Sequence, residues 1–203
     1  MIHTIVIFLG LFFSGSALGH PFSKEEYSLR TAIKVSDKGI VPLVSLEVPI
    51  PIALRDIGAD TTDPTEVKRR KIRAYNELQW DTLAENLRFS IDGKEAQGKW
   101  RPIEHPANGK AAEGFFVYMI SFQFERPPEI KVGSTIIIEN TSYLDVPMVY
   151  TASSTANPPW TIVKSTSKDI LGEGESADLT DPSRWSTNEL LRRIEISIGK
   201  SVP

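Results

Sequence analysis

The 203-residue chain has no cysteine, which removes disulfides, thiolate metal sites, a cysteine nucleophile and a lipid-modified cysteine together. It has no basic surplus either, with 23 Lys and Arg against 26 Asp and Glu and a net charge of −3. Nothing in its charge favours nucleic acid or an anionic membrane as a partner. Histidine is scarce, with three in the chain. No segment approaches the ~20 consecutive apolar residues of a membrane-spanning helix. The H-E-x-x-H, G-x-S-x-G, Walker A and dinucleotide patterns are missing, and so is any nucleophile signature.

The longest apolar run is Ile5-Val6-Ile7-Phe8-Leu9-Gly10-Leu11-Phe12-Phe13, followed by small residues ending Ala17-Leu18-Gly19. This is the layout of a signal peptide, although Met1 to Thr4 lack the usual basic residue. The expectation is export to a secreted or periplasmic location with cleavage after Gly19. Residues 20–203 then form one domain that begins at His20 and does not span a membrane.

Most of that domain reads as strand. Tyr27, Leu29, Ile33 and Val35 alternate with polar neighbours, Asp37-Lys38-Gly39 supplies a turn, and Ile40, Val44, Leu46 and Val48 continue on the return, predicting a hairpin over 27–48. Pro49-Ile50-Pro51 ends it. A helical stretch over about 64–87 opens with Asp63 as N-cap, Pro64 at the first position and Glu66 completing a capping box. Its apolar residues change side between Val67, Ala74, Leu78 and Trp80, Leu83, Ala84, Leu87, which predicts a bend near Asn76. The basic run Lys68, Arg69, Arg70, Lys71 and Arg73 spreads around this helix and reads as solvated.

Phe89 and Ile91 lead into the hairpin signal Asp92-Gly93, with Trp100 expected on the return strand. Residues 102–114 read as a long loop carrying His105. Phe115 to Phe124 is apolar on both faces and belongs in the middle of a sheet. Short strands follow at Thr135–Glu139, Val146–Tyr150, Trp160–Lys164 and Ile194–Ile198. The acidic stretch 172–188, with Glu173, Glu175, Asp178 and Asp181, reads as a surface loop, and its spacing does not match an EF-hand. The spacing of these elements predicts a mainly β, immunoglobulin-like antiparallel β-sandwich with a helical insertion. Asn140-Thr141-Ser142 matches a glycosylation acceptor.

An N-terminal histidine offers a metal two nitrogens, its amine and its imidazole. A second imidazole would complete a three-nitrogen set, and His105 is the remaining histidine once His3 leaves with the signal. Such a set selects copper(II) among divalent metals. Asp145, or a phenol from Tyr143 or Tyr150, is the candidate oxygen ligand. Trp100, Trp160 and Trp185 would be the stacking platforms if the copper oxidised a polymer such as a polysaccharide, although each also fits core packing.

At the start of the exported chain, His20-Pro21-Phe22-Ser23 followed by Tyr27-Ser28-Leu29 resembles the extracytoplasmic part of HupE/UreJ-type proteins. That resemblance implies an exported domain with a role in metal handling. The multi-helix membrane part it also implies has no counterpart in this sequence. Three readings therefore stand: an exported copper-binding protein using His20, His105 and Asp145; a metal-free interaction module working with an envelope or membrane partner; and a copper-dependent oxidative enzyme.

Overall fold

A computed structural model describes residues 26–58, 60, 62–172 and 185–201. The signal segment, His20 and the four acids between Glu173 and Asp181 lie outside the described residues. Eleven strands, β1 (Tyr27–Ser36), β2 (Gly39–Pro49), β3 (Leu87–Ile91), β4 (Lys94–Glu95), β5 (Gly98–Pro102), β6 (Lys110–Ala112), β7 (Phe115–Phe124), β8 (Thr135–Asn140), β9 (Met148–Ala156), β10 (Trp160–Ser165) and β11 (Arg193–Lys200), form two sheets. The first has the order β5-β7-β2-β1-β9, with β6 continuing β5's position beside β7, and the second has the order β10-β11-β8-β3-β4. Pairing is antiparallel except between β1 and β9, where Tyr27 aligns with Met148 and Val35 with Ala156.

The expected β-sandwich with a helical insertion is thus the observed architecture. Its core follows from the alternation in the sequence. Leu29, Ile33 and Val35 of β1, Val44, Leu46 and Val48 of β2, and Phe116, Tyr118 and Ile120 of β7 face Phe89, Ile136, Ile138, Ile194, Ile196 and Ile198 of the second sheet. Phe89, Trp100, Phe122 and Phe124 close one side with ring centroids 5.0–6.2 Å apart, in tilted or edge-on contacts. A smaller cluster of Ala32, Leu43, Ile103, Val117 and Met119 lies on the outward face of the first sheet.

Three helices, α1 (Ile50–Ile57), α2 (Thr65–Asn86) and α3 (Thr166–Leu171), and a 3-10 turn at Glu189–Arg192 complete the described structure. Because α1 follows the end of β2 and α2 runs into β3 beside Thr141, these two helices and the 3-10 turn gather at the end of the sandwich where β1 and β9 start. We call this the helical end.

Several sequence expectations are corrected here. Helix α2 is one uninterrupted helix of 22 residues, with no break at Asn76. A single inner face of Tyr75, Gln79 and Leu83 is buried, with Ile72, Trp80 and Ala84 packed beside it, while Ala74 and Leu78 are left on the solvent side. The helix starts after Pro64 without a side-chain cap. Asp63 instead accepts from Lys71 Nζ at 2.8 Å, and the same ammonium reaches Gly58 O at 2.7 Å. Pro49-Ile50-Pro51 ends the strand and also starts α1, because proline fits a first turn where N–H groups have no intrahelical partner. The Asp92-Gly93 turn returns into the two-residue β4, whereas Trp100 lies on β5 in the other sheet. Asn140 is only 2 % exposed and its Oδ1 accepts from Ser142 N and Oγ, so the folded chain does not present this acceptor to a glycosylating enzyme.

Candidate functional site

The loop between β5 and β6 positions His105. β5 leaves β7 at Pro102↔Ile120 and β6 joins it at Lys110↔Val117; between them Met119 O still accepts from Ile103 N at 3.2 Å, and the Met119 N–H is left for a side chain. The Asn108 side chain fills the gap. Its Nδ2 donates to Ile103 O (2.8 Å) and Met119 O (2.9 Å), while its Oδ1 accepts from Met119 N (2.8 Å) and Trp80 Nε1 (3.1 Å). One side-chain amide stands in for a missing peptide unit, and it ties the loop to α2.

Within this loop the Ala107 N–H donates to His105 Nδ1 at 3.2 Å. Partial burial holds the imidazole pKa below its ordinary value of 6.5, so the ring is neutral at pH 7. With its Nδ1 lone pair engaged, the neutral ring carries its proton on Nε2. Ligation through either nitrogen therefore requires the Ala107 bond to break or the proton to move.

Asp145 is exposed in the connection from β8 to β9, at the opposite edge of the first sheet from His105. Strands β7, β2 and β1 lie between the two edges. At ~4.8 Å per strand spacing this is a separation of roughly 15–20 Å, so the structure does not bring Asp145 to His105. Among the described residues no group of three or more His, Asp or Glu side chains is placed to hold a metal ion. His20 lies outside them; a fully extended chain from it to Tyr27 reaches at most roughly 25 Å.

The candidate phenols are already engaged. Tyr143 donates to Gln79 Oε1, and Tyr150 donates to Glu189 Oε1 at 2.9 Å from the inner face of β9. Burial raises both pKa values above the ordinary tyrosine range, and Tyr150 is raised further by its bond to Glu189. The tryptophans make no shared platform. Trp100 is in the core, Trp160 is half-buried at the start of β10, and Trp185 lies over Arg30 with the guanidinium carbon 4.9 Å from its ring centroid.

Two arrangements are visible only in three dimensions. At the helical end, Tyr27 and Tyr143 meet at a tilt with ring centroids 5.6 Å apart, and Tyr118 meets Tyr75 and Trp80 edge-on at 6.3 and 6.2 Å. Tyr118 donates to Asn76 Oδ1 at 3.0 Å, and Asn76 Nδ2 donates to Gly109 O at 2.8 Å. Burial pushes the phenols of Tyr27, Tyr75 and Tyr118 upward, so they remain protonated donors and none acts as a base. On the outward face of the first sheet, Arg30 aligns with Ser45 on one side and Thr151 on the other. Its guanidinium meets Glu47 at 2.5 Å, with each side chain only 10 % exposed.

The helical end is also where apolar side chains meet solvent. Leu54 of α1, Leu78 of α2, Leu144 beside Tyr143 and Leu190 of the 3-10 turn are 43 %, 59 %, 66 % and 68 % exposed. Sequence reasoning missed this set because it assigned Leu78 to a buried face and left Ile50–Ile57 outside any helix. Among the described residues no helix is long and apolar enough to cross a membrane. No protein-family model matches the chain, and no curated protein matches it.

Proposed function

We propose that the protein is an exported, metal-free binding module that docks through its helical end onto an envelope or membrane partner. The observation that supports this reading is the set of four exposed leucines at that end. Burying a leucine side chain contributes about 1.5–3 kcal/mol, and a few such anchors within a polar rim are what an interface centre consists of. The tyrosine, asparagine and glutamine bonds beneath them hold the backbone of α2 and the 141–147 connection in place, so little ordering entropy remains to be lost on binding. Arg70, Arg73, Glu77 and Asp81 of α2 are exposed on the same helix as Leu78 and supply a polar rim beside it. The copper reading has less support, because His105 holds its Nδ1 in a backbone hydrogen bond and Asp145 lies at the far edge of the sheet.

The test is site-specific photocrosslinking in the cells that export the protein. A photoreactive residue at Leu78 or Leu144 is expected to give an adduct of one defined mass. The same residue at Val132 or Val163, which are exposed at 63 % and 65 % but lie away from this end, is expected to give none. Equal adducts from all four positions, or none from any, would sink the docking reading. A type-2 copper signal that is lost in His105→Ala would put the copper reading in its place.

A further inference from the structure

The first sheet is split at the end opposite the helices. β2 and β7 pair from Pro49↔Phe115 to Leu43↔Ser121 and no further, although β2 runs back to Gly39 and β7 continues to Phe124. The cause is readable in the register. The carbonyls of Val117 and Met119 accept from Gly109 and Ile103 on the β5/β6 side. The alternate residues, Phe116 to Phe124, therefore turn their main-chain groups toward β2. The next rung would set Phe122 against Pro42, which has no N–H to give. Ser121 Oγ donates to Pro42 O at 2.6 Å instead.

Past that point β2, β7 and the chain leaving β5 together line a groove of about 530 Å³, walled by Ile40, Val41, Ile103, Phe122, Phe124 and Pro127. The alternation directs the main-chain N–H and C=O of Ile40 and Phe124, and the C=O of Phe122, into this groove. The β2–β7 ladder gives them no partner among the described residues. An apolar groove whose walls carry unused peptide groups differs from a lipid pocket, where such groups would be a cost to any hydrocarbon that covered them. It suits a ligand that is apolar in its side chains and polar along its backbone. Lys38 and Glu104 also line the groove, one of each charge, and both are exposed. A segment carrying one acid and one base around an apolar centre complements them.

The geometry points to a strand-addition site: the split between β2 and β7 takes an extended peptide segment of a partner protein, with apolar residues alternating and opposite charges at its two ends. Main-chain hydrogen bonds to Ile40, Phe122 and Phe124 supply affinity, and the apolar walls select the side chains. The groove lies at the far end of the sandwich from the four leucines and stands independently of docking there.

The probe is a capped synthetic peptide of alternating valine and threonine with aspartate at one end and lysine at the other. It is expected to bind saturably to the full protein and to slow hydrogen exchange at the Ile40 and Phe124 amides. The same peptide N-methylated on alternate residues is expected to bind at least about tenfold more weakly. Pro42→Val, which restores the missing donor and lets β2 zip onto Phe122, should also weaken binding by about tenfold or more. No saturable binding, equal binding of the methylated peptide, or protection confined to other amides would each overturn the proposal. The methylated peptide is compared on the unaltered protein, so the result does not depend on how Pro42→Val folds.

Discussion

Asn108 shows how much one side chain can settle. Four hydrogen bonds converge on its amide, two to the exposed edge of β7, one to Ile103 O and one from the indole of α2's Trp80. Asn108→Ala leaves the Met119 N–H and the Trp80 indole N–H without their acceptor, while Met119 O keeps the Ile103 N–H. Each buried unmet group costs about 1–3 kcal/mol. The expected loss is about 2–4 kcal/mol in denaturant unfolding with an unchanged m-value, and Asn108→Asp, which sets a carboxylate oxygen against the carbonyls of Ile103 and Met119, should lose at least as much. None of this was legible in the sequence, where Asn108 was one polar residue in a Pro- and Gly-rich stretch read as loop. A local pattern does not say which strand edge a loop residue will meet.

At the scale of elements, the sequence carried most of the strands and misplaced the chemistry of the helix. Alternation found the β1/β2 hairpin and β7 because a period of two is imposed by the sheet itself. Helix α2 was legible in extent and misread in shape. Its two apolar sets suggest a break or bend, and the fold instead packs the second set while leaving Ala74 and Leu78 of the first exposed. The packing that chose between them is local: Gly109 stands against Trp80, where an added Cβ would come within 2.8 Å of the ring, and its φ of +70° suits glycine. The same helix has no basic residue in its last turn, while Glu85 sits exposed there, against the negative end of the helix dipole. Glu85→Lys is therefore expected to raise stability by about 0.3–1 kcal/mol at low ionic strength, read as a higher unfolding midpoint that shrinks with added salt.

For the molecule as a whole, the telling feature is that the first sheet buries polar groups on its outward face. Ser28, Ser45, Thr151 and Ser153 are buried there, and Arg30 and Glu47 form an ion pair among them beneath Trp185. A buried pair is expensive to break and cheap to replace as a unit. Arg30→Met alone, which takes the guanidinium away from the Glu47 carboxylate, is expected to cost about 3–5 kcal/mol. The double variant Arg30→Met, Glu47→Leu should recover most of that, giving a coupling of several kcal/mol in a double-mutant cycle measured by chemical denaturation. Additive single effects would show the two charges to be independent.

By itself the sequence determined the architecture and the limits on chemistry. Strand alternation, turn residues and one long helical stretch specify a two-sheet sandwich, and the absence of cysteine removes thiolate ligands and disulfides at any geometry. Tertiary structure decided where the few candidate groups stand. It put His105 and Asp145 at opposite edges of one sheet, drew Tyr27, Tyr75, Tyr118 and Tyr143 together at the helical end, and opened the β2–β7 ladder at Pro42. The physical reason is that periodicity reports which face of its own element a residue occupies, whereas a site depends on which elements become neighbours and in what register, and that is fixed only when the two sheets pack.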